Sequence, residues 1–301
     1  MKHQNLIAAA MASMAIACPA AAADLPSRKP AVAMMQIPAA TWTGFYLGLN
    51  FGYGQNSNSI ATSAPPIWTD PAFPVPAPSY AAHVAIGSTT SAPGGRGAFL
   101  LGGQLGYNYQ TSLLLAGVEA DIQGLFGGRA SRSNGIAMPL PPPALPFSNL
   151  VTFNNLGSRL DWLATLRGRL GFVAAPSLLL YGTGGLALGG ATLTANTLVR
   201  RDNNFQTPGF AAVNVSGAHA GWTLGVGSEW KFVSNWSAKL EYLYYDLGRL
   251  SGTSALTSSL IFTGGLYTVN AYRATAPING HIVRAGLNYH FGGAAPARGK
   301  Y

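Results

Sequence analysis

Cysteine is nearly absent from this sequence, since Cys18 is the only one in 301 residues. A chain with one thiol forms no internal disulfide and no cysteine-based metal site. Charge is also scarce: Asp, Glu, Lys and Arg make up 9% of the chain, against about 25% in soluble domains. That is too little charge for an ordinary water-facing surface.

Long apolar runs are missing as well. After the first 23 residues, no segment offers the roughly 18 uninterrupted apolar residues that a membrane helix needs. The nearest one, residues 171–190, contains Pro176 and six glycines, which disfavour a helix. Yet 48% of the chain is hydrophobic and 11% is aromatic, which excludes disorder.

The basic residues outnumber the acidic ones by 18 to 9, but they are spread along the chain. They are adjacent only at Arg28-Lys29 and Arg200-Arg201. A nucleic-acid partner is therefore not expected, because a clustered basic footprint is absent.

The N-terminus has the pattern of an export signal. Lys2 precedes an apolar stretch from Leu6 to Ala17, and small residues at 21–23 form a cleavage site. We expect residues 1–23 to be a signal peptide and residues 24–41 an extended periplasmic segment. Because Cys18 lies in the signal, the mature chain would contain no cysteine.

What the sequence does contain is apolar residues at every second position. From Gly44 to Gly54, the residues Phe45, Leu47, Leu49, Phe51 and Tyr53 alternate with small or polar ones. Strands of transmembrane barrels alternate in this way over about ten residues. Related patterns recur in seven more segments, with the facing left open in the Gly-rich 178–190: 99–109, 114–122, 159–172, 178–190, 222–231, 236–245 and 281–291.

The connections between these segments alternate in length. Long ones span 56–97, 127–157, 191–217 and 248–279, and short ones span 110–112, 173–177 and 233–235. Outer-membrane barrels have short periplasmic turns and long extracellular loops. The sequence thus predicts an all-β fold: an eight-stranded antiparallel transmembrane β-barrel over residues 42–291, followed by a C-terminal tail at 292–301. The expected location is the outer membrane of a Gram-negative bacterium.

Several motifs resemble a known family: WTGFYLGLNFGYG at 42–54, ATLRGRLGF at 164–172, KLEYLYYDLG at 239–248 and HIVRAGLNYHF at 281–291. The chain is similar to the small outer-membrane immunogenic, or opacity-type porin-family, barrels of rhizobia and their relatives. The resemblance implies a barrel inserted by the outer-membrane assembly machinery and surrounded by lipid and lipopolysaccharide. Such barrels usually end on an aromatic residue, whereas here a tail follows Phe291. Either the machinery tolerates the tail or Tyr301 substitutes.

Charged residues occupy the face opposite the apolar rows. Because a buried charge must be paired, we expect an ion-pair network in the lumen, with Glu119, Glu229 and Glu241 sharing the charges of Arg167, Arg169, Lys239 and Arg284. The narrow lumen of an eight-stranded barrel favours a plug over a narrow porin-like channel. The full predicted network is Glu119, Asp121, Arg159, Asp161, Arg167, Arg169, Glu229, Lys231, Lys239, Glu241 and Arg284.

Aromatic residues near the predicted strand ends are expected to form girdles at the two membrane interfaces. They are Trp42, Trp162, Tyr181, Trp222, Trp230, Trp236, Tyr289 and Phe291.

The predicted function is a non-enzymatic, structural and surface-exposed role in the cell envelope, with no catalytic residue, cofactor or metal. The histidines of the mature chain are scattered and lack metal-ligand spacing. Two alternatives remain open. One is a lipid A-modifying enzyme at the outer rim, with His219 and His281 beside Ser251 or Ser254. The other is a surface adhesin that binds through its loops. The sequence predicts no oligomeric state.

Overall fold

The computed structural model describes residues 41–56, 59–69, 76–93, 97–139, 149–202, 208–260 and 266–291. All of them fall in one compact unit, Pro38–Tyr301. The expected signal peptide, most of the extended segment after it and the tail at 292–301 lie outside the described residues.

The described residues form β-strands and one helix. In chain order these elements are β1 (Gly44–Asn56), β2 (Ile60–Ser63), β3 (Pro66–Thr69), α1 (Pro76–Ser88), β4 (Thr90–Ala92), β5 (Gly97–Thr111), β6 (Leu114–Gly127), β7 (Ala130–Pro139), β8 (Asn149–Ala175), β9 (Leu178–Arg201), β10 (Gly209–Val233), β11 (Trp236–Leu260) and β12 (Leu266–His290).

Eight of these strands close into a ring, as the sequence predicted. The order is β1-β5-β6-β8-β9-β10-β11-β12, and β12 pairs back with β1. All neighbours are antiparallel, and the register at the closure places Leu47 opposite Leu105 on one side and Tyr289 on the other. A closed ring leaves no strand edge unpaired, which a lipid environment requires.

Successive strands are joined at one end, here called the turn end, by two-residue turns at residues 112–113, 176–177 and 234–235. In the first of these turns Ser112 adopts a left-handed backbone with φ of 56°. The opposite end of the barrel is called the loop end. Between them, the outer wall carries the predicted apolar residues, and Leu47, Leu49 and Phe51 are each more than half exposed.

The structure differs from the prediction in the long connections, because most of their residues are strand. β8 to β12 continue beyond the apolar wall, through most of the three segments expected to be loops after residue 127. On β9 the outward residues change from Leu186 and Leu188 to Thr192 and Thr194, while the inward residues become apolar, as at Leu193. Beyond this point the apolar residues face inward and the polar ones outward. The pattern of outward apolar residues therefore ends before the strand does.

The first long connection folds against the inside of the loop end. It contains α1, whose Ala81 and Val84 are fully buried. Val84 belongs to one apolar cluster with Leu150 and Leu156 of β8. Asn270 Nδ2 of β12 donates to the carbonyl of Ala81 over 3.2 Å. Among the described residues, no helix is long and apolar enough to cross a membrane.

Candidate functional site: the ion-pair network inside the barrel

Eight charged side chains meet inside the barrel between the turn end and the apolar cluster. Four are acidic and four are basic, so their formal charges cancel, and none of the eight side chains is exposed to solvent. They are Glu119 and Asp121 of β6, Arg167 and Arg169 of β8, Glu229 of β10, Lys239 and Glu241 of β11, and Arg284 of β12.

Arg167 lies at the centre of this network and contacts three carboxylates. Its Nη2 donates to Glu119 and, over 2.8 Å, to Oδ2 of Asp121. Its Nη1 donates to Oε1 of Glu241 over 2.9 Å. One guanidinium thus joins β6 and β11, which are not neighbours in the sheet.

Arg284 and Lys239 complete this part of the network. Arg284 donates from Nε to Oε2 of Glu241 over 2.7 Å and from Nη2 to Oδ2 of Asp121 over 3.1 Å. The Lys239 ammonium donates to both oxygens of Glu119, at 3.0 and 3.2 Å. Glu119, Asp121 and Glu241 therefore each have at least two cationic partners, which offsets the desolvation cost of burial.

A second group lies nearer the turn end, around Arg169 and Glu229. Arg169 donates to Glu229 and stacks on the ring of Tyr181, with 3.7 Å between its Cζ and the ring centroid. Glu229 also accepts hydrogen bonds from Ser237 Oγ over 2.5 Å and from Asn288 Nδ2 over 2.8 Å. Tyr46 links the two groups, because its hydroxyl accepts from Arg169 Nη1 over 3.2 Å and donates to Glu119 over 2.5 Å.

Glycines make room for these large side chains on the neighbouring strands. Gly185 pairs with Arg167 and Gly52 pairs with Arg284. In each case an added Cβ would lie 2.7 Å from the Cα of the arginine, closer than packed atoms tolerate. Part of the high glycine content is therefore explained by the bulk of the network.

Trp42 closes the turn end of the lumen, although it was predicted in the girdle. It is 1% exposed. Its backbone N–H donates to Gln110 Oε1 over 2.8 Å. The Lys231 ammonium sits 4.4 Å from the centroid of the indole and donates to the Thr41 carbonyl over 2.6 Å. Lys231 was predicted in the network but contacts Thr41 and Trp42, just before β1, instead of a carboxylate.

Arg159 and Asp161 are also placed outside the predicted network. They pair with each other at 3.2 Å, and their side chains are 45% and 43% exposed. The cause is a β-bulge between Leu160 and Trp162, where one extra residue shifts the alternation. Between the bulge and the turn end, the odd-numbered residues of β8 point inward. Between the bulge and the loop end, the even-numbered residues do.

The other predicted girdle residues divide between the two faces. Tyr181 points inward and is buried; the sequence pattern had left the facing of residues 178–190 open. Trp162 is half-buried, and the remaining five are exposed on the outer wall: Trp222, Trp230, Trp236, Tyr289 and Phe291.

Sequence reasoning did not assign five further partners to the network: Tyr46, Gln104, Ser237, Asn288 and His290. Gln104 Nε2 donates to Asn288 Oδ1 over 2.5 Å, and His290 lies 3.2 Å from Glu229. Their position in the alternation could have indicated this role, since each lies on the same strand face as the charged residues.

The residues considered for a rim enzyme are not brought together. His281 bonds to the hydroxyl of Tyr242 over 2.6 Å on the outer wall, whereas His219 lies on β10 opposite Gly189 of β9. Neither histidine has a hydrogen bond to Ser251 or Ser254 among the described contacts. Within the described part of the chain, no group of three or more His, Cys, Asp or Glu side chains is arranged to hold a metal ion.

Comparisons with known proteins agree with this architecture. The family model described as outer membrane protein beta-barrel domain matches residues 7–291. The 31 kDa outer-membrane immunogenic protein of Brucella melitensis is 30% identical over 96% of this chain and 100% of its own length. The 22 kDa outer membrane protein of Rhizobium leguminosarum biovar viciae is 29% identical over 48% of this chain and 52% of its own.

Among solved structures, the outer membrane protein OprG of Pseudomonas aeruginosa aligns with a TM-score of 0.37 and 12% identity, covering 84% of this chain and 99% of that one. The family model and the full-length Brucella melitensis relative show the family to which the chain belongs. The chain therefore belongs to the outer membrane protein β-barrel domain family and is an outer-membrane β-barrel of a Gram-negative bacterium.

Proposed function

We propose that this protein is a non-enzymatic barrel with a closed lumen, which serves as a structural, surface-exposed component of the outer membrane. The observation that carries this proposal is the charge-balanced network centred on Arg167, which contacts carboxylates of β6 and β11 across the interior. Side chains that bond across the narrow lumen of an eight-stranded barrel support a closed interior over a continuous water path.

Layers on both sides of the network support the same conclusion. Trp42 and Lys231 fill the turn end. Towards the loop end, Leu163, Leu243 and Ile282 belong to a buried apolar cluster that continues to α1. A solute would have to displace packed apolar side chains as well as break ion pairs.

The strands that continue beyond the apolar wall support a role at the cell surface. Their outer wall carries polar residues such as Asn214 and Ser216 of β10, together with the exposed ring of Phe210. The Brucella melitensis relative is named an immunogenic outer-membrane protein, and an exposed wall of this kind is accessible to antibodies. The proposed surroundings are outer-membrane lipid and lipopolysaccharide, with insertion by the outer-membrane assembly machinery.

Conductance across a planar bilayer tests the closed lumen. The folded, purified barrel should give no current above the background of protein-free bilayers, while a sixteen-stranded porin added under the same conditions gives steps. Discrete current steps that scale with the amount of this protein would overturn the closed lumen and favour the narrow channel.

A separate measurement tests the non-enzymatic part of the proposal. Mass spectra of lipid A should be the same from cells with and without overexpression of the chain. A new lipid A mass that appears only with expression would support a modifying enzyme.

A further inference from the structure

The outer wall of the barrel shows where the outer leaflet ends. On β10 the exposed residues change from Leu224 and Trp222 to Ser216 and Asn214 towards the loop end. The same change on β9 places Thr192 beyond Leu188. Aromatic residues gather at membrane interfaces, so Trp222 and the half-buried Trp162 mark the interface on this side.

The described charges beyond this interface are strongly unequal. Seven arginines stand against three aspartates, an excess of four positive charges, whereas the network in the lumen is neutral. The aspartates are Asp161, Asp202 and Asp246, and the arginines are Arg129, Arg132, Arg159, Arg200, Arg201, Arg249 and Arg273. The excess positive charge of the described residues thus lies on the loop-end side of the barrel.

Two of these arginines line one cavity of about 380 Å³ on the wall formed by β7, β8 and β9. Arg129 and Arg159 share this cavity with the hydroxyl residues Ser131, Thr192 and Thr194. At the floor lies Gly157, which pairs with Ser131 on one side and Thr194 on the other. Gly157 has no side chain to occupy the floor. A Cβ at this position would be in ordinary contact with the Ala130 carbonyl, at 3.7 Å, and would clash with nothing.

The β8 bulge brings Arg159 to this cavity. Without the extra residue at Asp161, Arg159 would continue the inward alternation of Arg167 and Arg169 towards the lumen. With it, the guanidinium lies outside, three residues beyond Trp162 in the sequence. An arginine whose side chain is 45% exposed and which lies just outside an aromatic interface is within reach of lipid headgroups.

The chemistry of the cavity fits a phosphate group. A planar guanidinium forms paired hydrogen bonds with phosphate oxygens, and hydroxyl groups add further donors. One carboxylate is also present, since Asp161 lies 3.2 Å from Arg159 and neutralises part of its charge.

We propose that this cavity binds a phosphate group of an anionic glycolipid in the outer leaflet. Arg129 and Arg159 supply the charge, and the hydroxyl residues of β7 and β9 orient the phosphate. The site lies on the outer wall and does not depend on whether the lumen is closed.

Native mass spectrometry of the full-length folded barrel in detergent tests this site, with diphosphorylated lipid A and fully dephosphorylated lipid A as probes. The unmodified barrel should retain the diphosphorylated form preferentially. An arginine near an anionic membrane surface strengthens binding about fivefold, so Arg129→Gln with Arg159→Gln should weaken binding roughly 25-fold at low salt. The difference should shrink at high salt, because exposed charges are screened.

Arg249→Gln with Arg273→Gln is the matched control, because it removes the same charge from exposed positions on β11 and β12. This pair should change binding less than threefold. Equal weakening by both pairs, or equal retention of the two lipid A forms, would overturn the proposed site. Heat-modifiable migration in gels checks that each variant is folded.

Asp161→Asn gives a test in the opposite direction. Removing the carboxylate that pairs with Arg159 should tighten binding of diphosphorylated lipid A several-fold, and a loss of affinity would contradict the proposal. Inorganic phosphate is the competing source of the same chemistry. Millimolar inorganic phosphate should not displace the lipid, and full displacement would instead indicate a site for the free anion.

Discussion

Arg167 on β8 donates a hydrogen bond from Nη1 to Oε1 of Glu241 on β11 over 2.9 Å, although β9 and β10 separate the two strands in the sheet. The contact therefore crosses the interior of the barrel. It ties opposite walls together where neighbouring-strand hydrogen bonds do not reach.

Removing this arginine should destabilise the barrel strongly. Arg167→Met leaves Glu119, Asp121 and Glu241 short of one shared cation, and breaking a buried ion pair costs about 3–5 kcal/mol. Urea unfolding of the barrel refolded into lipid vesicles measures the change in the free energy of unfolding.

The control for that variant is Arg159→Met, which breaks the exposed pair with Asp161. Exposed ion pairs contribute about 0–1 kcal/mol, so its unfolding midpoint should stay close to that of the unmodified barrel. Equal losses in the two variants would contradict a central role for Arg167.

Replacing glycine by alanine should destabilise the barrel more on the inward face than on the outward face. Gly185→Ala places a Cβ 2.7 Å from the Cα of Arg167, and such overpacking costs about 1–3 kcal/mol. Gly168→Ala points outward on β8 and meets no atom nearer than the Gly184 carbonyl at 3.8 Å, so its effect should be small. The unfolding midpoints of the two variants measure the difference, and a larger loss for Gly168→Ala would refute the assigned facing.

Tryptophan quenching distinguishes the lumen from the lipid-facing wall. In variants that keep a single tryptophan, lipids with brominated acyl chains should quench Trp230, which is 55% exposed on the outer wall. They should leave Trp42 almost unquenched, because it is 1% exposed and lies under Lys231. Strong quenching of Trp42 would contradict its position in the lumen and support the girdle position that the sequence predicted.

Asn270 should control how firmly the first connection is held. Its Nδ2 donates to the carbonyls of Ala64 and Ala81 over 2.7 and 3.2 Å, and Asn270→Leu leaves both carbonyls buried without this donor. Such a loss costs about 1–3 kcal/mol, so amide hydrogen exchange in α1 should accelerate by one to two orders of magnitude. Asn214→Leu, at an exposed site on β10, is the control and should leave exchange in α1 unchanged.

The alternation of apolar residues determined much of this fold. A lipid-facing wall must be apolar at every second residue, so Leu47, Leu49 and Phe51 already indicated both the strand and its outward face. The same rule placed Glu119, Glu229, Lys239 and Arg284 on the inward face, since no bulge interrupts the alternation in the membrane-spanning part of the strands on which they lie. Scarce charge and an N-terminal pattern typical of an export signal indicated the outer membrane from the sequence alone.

Other features were decided only by the tertiary structure. The bulge at Asp161 follows from pairing between β8 and β9, and this pairing, not the order of residues, sends Arg159 outward and Arg167 inward. The length of β9 to β12 was hidden because their alternation inverts where water replaces lipid outside the barrel.

The sequence supplied balanced charges for the network, but the pairing of each charge depends on distances across the lumen. Arg167 reaches Glu241 because the ring closes between β12 and β1, and nothing local in either strand determines that contact. Which residues face lipid was therefore largely determined by the sequence, and which residues meet inside was determined by closure of the barrel.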